Sequence, residues 1–249
     1  MEQQDLLKRA ADLADRCERS SIVTSTGFLT PAEQYALRQW ADRQPGLTVL
    51  FHGGGEGCER QCAFFLPYWL PPEDYQPDEY IRAVRSEAHF GEPGHRDYMG
   101  AALALGLKRE WLGDFVVDGA TAYIFCLPSV EPVLTEELTR AGRVTVRTVS
   151  CCLEDVPARE KKTRRVSFTV KSARLDAVIS GMFGMSRTSA ADQIRLGAAT
   201  LNYAVCDRVD APVKPGDVIS LRGKGKGSLT GAGGRSRKDR LFLEAEILL

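Results

Sequence analysis

Between residues 171 and 197 the apolar positions keep a helical rhythm. Leu175, Val178, Ile179, Met182 and Phe183 fall at i, i+3, i+4, i+7 and i+8, one apolar helix face. Ser172 is placed to cap this helix and Gly184 to end it. A second helix is expected to start at Ser186, run through Arg187 to Leu196 and stop at Gly197. The rhythm then changes to period two. Ala199, Leu201, Tyr203 and Val205 alternate as one strand, a Pro-Gly turn follows, and 217–221 reads as the next strand. The region is predicted to be helix, helix, strand, strand, with arginines on the second helix.

Upstream, 4–19 is predicted to be helical, with Leu6, Ala10, Leu13, Ala14 and Cys17 on one side. Thr30-Pro31-Ala32-Glu33 is a helix start, with a Thr cap, Pro in the first turn and a Glu to reach back. That helix passes through Tyr35, Leu37 and Trp40 and ends near Pro45-Gly46. Strands are expected at 47–52 and 63–66, joined by a mobile turn over the glycine-rich 53–57. From residue 80 the expected order is strand 80–88, helix 95–105, strands 114–117 and 121–126 around Asp118-Gly119, helix 131–141 and strand 143–150. This βαββαβ order predicts a ferredoxin-like sheet with two helices on one face. The fold class expected is α+β in three parts: a small helical region 1–45, a ferredoxin-like (RRM-like) domain 46–155, and a C-terminal module 165–249.

The chain has 249 residues, enough for one to three cores, and an ordinary balance of 43% hydrophobic and 27% charged residues. No apolar run approaches the ~20 residues of a membrane helix. The first twenty residues lack the apolar core of a secretory signal, so a cytoplasmic location is expected. Seven cysteines at irregular spacing form no disulfide framework. The zero net charge hides an asymmetry. Residues 1–150 hold 15 Lys and Arg against 22 Asp and Glu, whereas 161–240 hold 17 against 6. Basic charge gathered on the module whose second helix bears arginines is the footprint of a polyanion partner.

Several tempting motifs carry less than they suggest. Gly53–Gly57 is followed by no Gly-Lys-Ser/Thr, so it is not a P-loop. His95-Arg96-Asp97 resembles a kinase catalytic loop, but Ala102 stands where that loop needs asparagine. His89 with His95, and Cys58 with Cys62, lack the further ligands of a zinc site, so no metal or cofactor is expected. Tyr123 and Phe125 alternate as an RNA-stacking face would, and core packing explains them equally well. The basic run 159–165 reads as a linker that tracks phosphate or is simply solvated.

Arg174-Leu175-Asp176, Ser186-Arg187, Ile194-Arg195-Leu196-Gly197 with Asn202, and Pro215-Gly216-Asp217-Val218-Ile219 occur in order at suitable spacing. In this the C-terminal module resembles the S4 RNA-binding domain, a small α-L fold. A longer resemblance spans most of 47–249. Phe51-His52-Gly53-Gly54 with Glu56-Gly57, Glu59-Arg60 and Phe65-Leu66-Pro67 are similar to the YlmH family of bacterial, ribosome-associated S4-domain proteins from the cell-division gene cluster. So are Gly94-His95-Arg96-Asp97-Tyr98-Met99-Gly100, Gly106–Glu110 and Gly113-Asp114. Gly55 stands where that family is expected to carry an aromatic residue, and the N-terminal helices match only loosely.

Arg187, Ala191 and Arg195 lie at i, i+4 and i+8, so both guanidinium groups lean to one side, with a small residue leaving room for a backbone between them. Ser186 and Thr188 would add first-turn donors at the positive helix end. Asp192 could instead pair Arg195, and Asp176 could orient Arg174 or Arg187. Lys224 and Lys226, alternating with glycines, and Arg235, Arg237, Lys238 and Arg240 are expected in a mobile loop that orders on RNA. Together with the resemblance, this makes Arg174, Ser186, Arg187, Thr188, Arg195, Asn202, Lys224 and Lys226 the candidate RNA-binding residues. The resemblance implies a monomeric, non-enzymatic protein that binds structured rRNA or tRNA on the large ribosomal subunit, in rescue of stalled complexes. The alternatives are a pseudouridine synthase-like enzyme, whose Arg-Leu-Asp motif would be 174–176, and a protein-interaction adaptor in cell division using the acidic half.

Overall fold

The computed structural model describes residues 3–76, 79–158, 162–235 and 239–248. Two units divide the chain, 1–159 and 160–249. Six α-helices and separate antiparallel sheets are present among the described residues, an α and β mixture in both units.

In the first unit, α1 (Gln3–Ser20) buries Leu6, Ala10 and Cys17. After β1 (Thr24–Ser25), α2 (Pro31–Ala41) starts from a reciprocal cap, in which Glu33 N–H donates to the Thr30 hydroxyl and Thr30 N–H to the Glu33 carboxylate. Strands β2 (Thr48–His52) and β3 (Cys62–Leu66) complete a three-stranded sheet in the order β1-β3-β2. Every residue of β3 is buried because its two faces meet different layers. Ala63 and Phe65 point to α1 and α2, whereas Cys62, Phe64 and Leu66 share a core with Phe125, Ile81 and Ala83. The N-terminal helices therefore close one core with residues from 48–66.

A second sheet follows, from β4 (Arg82–Ala88), α3 (His95–Ala104), β5 (Leu112–Asp118), β6 (Thr121–Cys126), α4 (Glu131–Glu137), β7 (Arg140–Ala141) and β8 (Val144–Cys151). Its strand order is β5-β6-β4-β8-β7, antiparallel throughout. Val84, Ala122 and Ile124 face α3 and α4 through Tyr98, Ala102, Leu134 and Leu138. The helix expected over 131–141 ends at Glu137, because Arg140-Ala141 pairs with β8 instead.

The other face of this sheet is covered at Phe125, which is 1% exposed. A Cβ on Gly54, at φ +97°, would lie 2.4 Å from the Phe125 ring. The glycine-rich turn thus seats backbone against an aromatic core residue. It is packed, not the mobile turn expected, and Phe125 belongs to the core. The motifs around it converge on one polar knot. The buried Asp114 carboxylate accepts the N–H groups of Glu59 (2.6 Å) and Arg60 (3.1 Å). Arg60 donates to the carbonyls of Phe28, Leu112 and Arg109, and Arg109 to those of Leu112 and Gly113. Burial, then the neighbouring Arg60 charge, lowers the Arg109 pKa to about 10. Glu59-Arg60, Arg109 and Gly113-Asp114 therefore staple loops together.

Among the described residues the second unit is one six-stranded antiparallel sheet with two helices. Its elements are β9 (Thr163–Val170), α5 (Leu175–Phe183), α6 (Arg187–Arg195), β10 (Ala199–Leu201), β11 (Ala204–Val205), β12 (Val218–Leu221), β13 (Gly225–Arg235) and β14 (Leu241–Leu248), in the sheet order β11-β10-β12-β13-β14-β9. Leu175, Val178, Ile179 and Met182 of α5 and Ala190 and Ile194 of α6 pack on Ile219, Leu221, Leu229, Leu243 and Ala245. Three expectations fail here. Part of the basic linker, Arg164 and Arg165, is strand β9, paired along all of β14. The mobile loop of Lys224 and Lys226 is a tight turn into β13, paired with β12 and β14. The single strand over 199–205 is a hairpin, broken at Asn202-Tyr203. Residues 159–161 of the basic run and Arg237 and Lys238 lie outside the described residues.

Candidate nucleic-acid interface

The basic module presents its arginines from the starts of two helices. Arg174, not Ser172, occupies the N-cap of α5, and no side chain caps it. The first amides are satisfied from elsewhere: Leu175 N–H donates to Ala211 O (2.9 Å) and Asp176 N–H to Val209 O (3.1 Å). Tertiary structure thus supplies what a capping serine would. Gly184, left-handed, ends the helix as expected, and the Ser186 hydroxyl caps α6 by accepting Ser189 N–H (3.0 Å).

Asp176 joins the two helix starts. Its side chain is 7% exposed and accepts from Arg174 Nε (3.2 Å), from the Arg187 guanidinium and from Ala177 N–H (2.8 Å). Burial alone would raise the carboxyl pKa, but the Arg187 hydrogen bond and charge, with Ala177 and Arg174, outweigh it and hold the group below its ordinary value. Arg174 and Arg187 keep 42% and 55% of their side-chain surface. Each guanidinium is oriented by Asp176 and remains partly open to solvent, as an anion receptor requires. Both carboxylate oxygens of Asp176 are thus engaged by donors.

The remaining candidates divide. Thr188 is exposed in the first turn of α6. Arg195 is exposed and pairs with Asp192 at 3.1 Å, a surface contact worth about 0.2–0.5 kcal/mol that a phosphate can displace. Ala191 is buried, so it forms core edge rather than a gap for a nucleic-acid backbone. Asn202 is engaged inside the fold. Its amide nitrogen donates to the buried Asp217 (2.9 Å), and its carbonyl oxygen accepts Val218 N–H (2.9 Å). Lys224 is exposed at the β12–β13 turn, and Lys226 lies on β13 opposite Ser220, its ammonium 4.9 Å from the centre of the Tyr203 ring. Sequence reasoning missed Tyr203, whose left-handed backbone no periodicity reveals. It also missed Arg165 as a strand residue, paired with Glu246 at 3.6 Å. Among the described residues no three His, Cys, Asp or Glu side chains gather as a metal site, and no helix is long and apolar enough to cross a membrane.

The arrangement defines a two-unit α+β protein with cations displayed on a packed helix-pair-and-sheet module. Comparison with known proteins gives the family. A ribosome-associated protein quality control protein P2 of Bacillus subtilis (strain 168) is 31% identical over 217 residues, covering 86% of this chain and 83% of that protein. Residues 72–155 match the family model described as "Putative RNA-binding domain in YlmH". The solved structure of the cell division protein YlmH from Streptococcus pneumoniae shares the fold over 63% of this chain and 96% of that one, with a TM-score of 0.51 at 21% identity. The chain belongs to the YlmH family.

Proposed function

We propose that this protein is a non-enzymatic RNA-binding protein that grips structured ribosomal or transfer RNA through an S4-type module, residues 165–249, on the large ribosomal subunit. The observation that carries the reading is the Arg174–Asp176–Arg187 clamp. A buried carboxylate fixes two half-exposed guanidinium groups on adjacent helix starts, beside Arg195 and within a segment of 17 Lys and Arg against 6 Asp and Glu. Contacts of this kind read phosphate and shape, which suits a folded RNA. The name of the Bacillus subtilis relative supports a place in ribosome-associated protein quality control, and rescue of stalled complexes in the cytoplasm is the role we propose within it. The commitment of Asp176 to two arginines weighs against the pseudouridine synthase alternative.

A second RNA surface within 72–155 is the competing reading, favoured by the description of the matched family model. The strand order β5-β6-β4-β8 supports a ferredoxin-like assignment there, but the buried Phe125 removes one member of the stacking pair the sheet would offer. The test is sedimentation of the intact protein with ribosomal subunits at rising salt, beside Arg187→Ala/Arg195→Ala. Salt-sensitive binding to the large subunit, weakened in the double variant and with a shallower salt slope, is expected. Binding untouched by the substitutions moves the interface to 72–155. Loss of co-sedimentation with every particle refutes the ribosomal role.

A further inference from the structure

The β10–β11 hairpin turns through two residues, Asn202 and Tyr203, flanked by the Leu201–Ala204 pair. Their φ angles are +50° and +70°, so both are left-handed, as a type I′ turn requires. Asparagine suits the first position, and its side chain is tied to Asp217 and Val218. The second position is one where glycine is the natural choice and a bulky side chain is disfavoured by its own backbone. Tyrosine stands there nevertheless. Its ring is partly buried, takes no part in the core of the unit, and lies beneath the Lys226 ammonium, 4.9 Å from its centre. Lys226 is brought there across the sheet, through Thr200 opposite Ser220 and Ser220 opposite Lys226. The hairpin also adjoins the helix that bears Arg195. A Cβ on Gly197, just past α6, would touch Val205, which is 69% exposed.

A strained turn that keeps an aromatic ring at a surface, paired with a cation, has a use where RNA binds. We infer that Tyr203 is a nucleobase-stacking residue: an unpaired base of the bound RNA stacks on its ring, and Lys226 meets the adjoining phosphate. The inference rests on the RNA-binding reading of this module. It adds what the arginines do not supply, a contact to a splayed base rather than to phosphate. Because stacking accepts every base, it favours an unpaired nucleotide at a set place on the RNA without demanding a sequence.

The test compares the intact protein with Tyr203→Gly, Tyr203→Phe and Arg187→Ala/Arg195→Ala, using large ribosomal subunits purified from Bacillus subtilis and thermal unfolding of each variant. Glycine relieves the turn, so Tyr203→Gly is expected to melt at or above the wild-type temperature while binding roughly 5- to 150-fold more weakly. Its salt slope should stay at the wild-type value, since no phosphate contact is removed. Tyr203→Phe should bind like the wild type. Unchanged affinity in Tyr203→Gly, or a melting temperature that falls with it, overturns the stacking role while a weakened arginine variant leaves the RNA-binding reading standing. If no form binds the subunits, that reading falls and the inference falls with it.

Discussion

Replacing Asp176 with asparagine keeps the shape of the side chain and removes its charge. In the native protein the carboxylate is almost fully buried and holds Arg174, Arg187 and the Ala177 amide. Hydrogen bonds to charged groups contribute about 1.5–3 kcal/mol each when desolvated. Here both guanidinium groups are about half exposed and can rehydrate when the partner is lost, which cuts the loss well below the ~3–5 kcal/mol of a fully buried pair. About 2 kcal/mol is expected, which in a unit of this size lowers its melting temperature by roughly 8–16 °C. The dependence on pH checks the cause. The folded pKa lies below the ordinary carboxylate value, so the contribution is complete above that value and is lost as the pH falls through the depressed one. The gap between wild type and Asp176→Asn should therefore be full at pH 7 and close progressively below about pH 4. Thermal unfolding of both proteins followed by circular dichroism from pH 7 to pH 3 measures it. Equal melting temperatures at pH 7, or a gap that persists undiminished in acid, would refute the clamp.

Two further outcomes follow from packing and burial. In Gly181→Ala the new methyl would sit 2.2 Å from the Phe168 ring, so the ring or α5 must shift, and chemical denaturation should show the second unit destabilised by about 1–3 kcal/mol. Thiol labelling at pH 8 should be fastest at the exposed Cys152, with the partly exposed Cys206 next. Burial first, then neighbouring carboxylates, pushes Cys151 up to about 11 and Cys126 up to about 12, so both should label slowly until the protein is unfolded, and Cys152→Ser should abolish the fastest phase.

The candidate interface was legible where its chemistry is local. Ser186, Arg187 and Arg195 announce themselves through a cap and an i, i+8 spacing, and the helix carries them as that spacing predicts. Asp176 as an orienting group is also readable, because it lies in the first turn of the neighbouring helix. What failed depended on partners remote in sequence. Asn202 looks like a polar loop residue until Asp217 and Val218 arrive from β12 to engage it. Lys224 and Lys226 look mobile because glycine weakens any strand signal, and only pairing on both sides with β12 and β14 makes a strand of Gly225–Arg235.

By itself the sequence determined the helices, the alternating strands, the separation of charge between the halves and the family motifs. Each of these is written in periodicity, capping or composition, within a few residues of where it acts. Tertiary structure alone decided that β3 is buried on both faces, that the glycine-rich turn seats on Phe125, and that Arg60, Arg109 and Asp114 form a staple. It also decided that Tyr203 stands in a left-handed turn beneath Lys226. The physical reason is common to all four. Burial on a second face, the donor that meets an acceptor and the sign of φ at a turn are set by chain segments that meet only after folding. No local pattern of apolar and polar residues encodes which segment that will be.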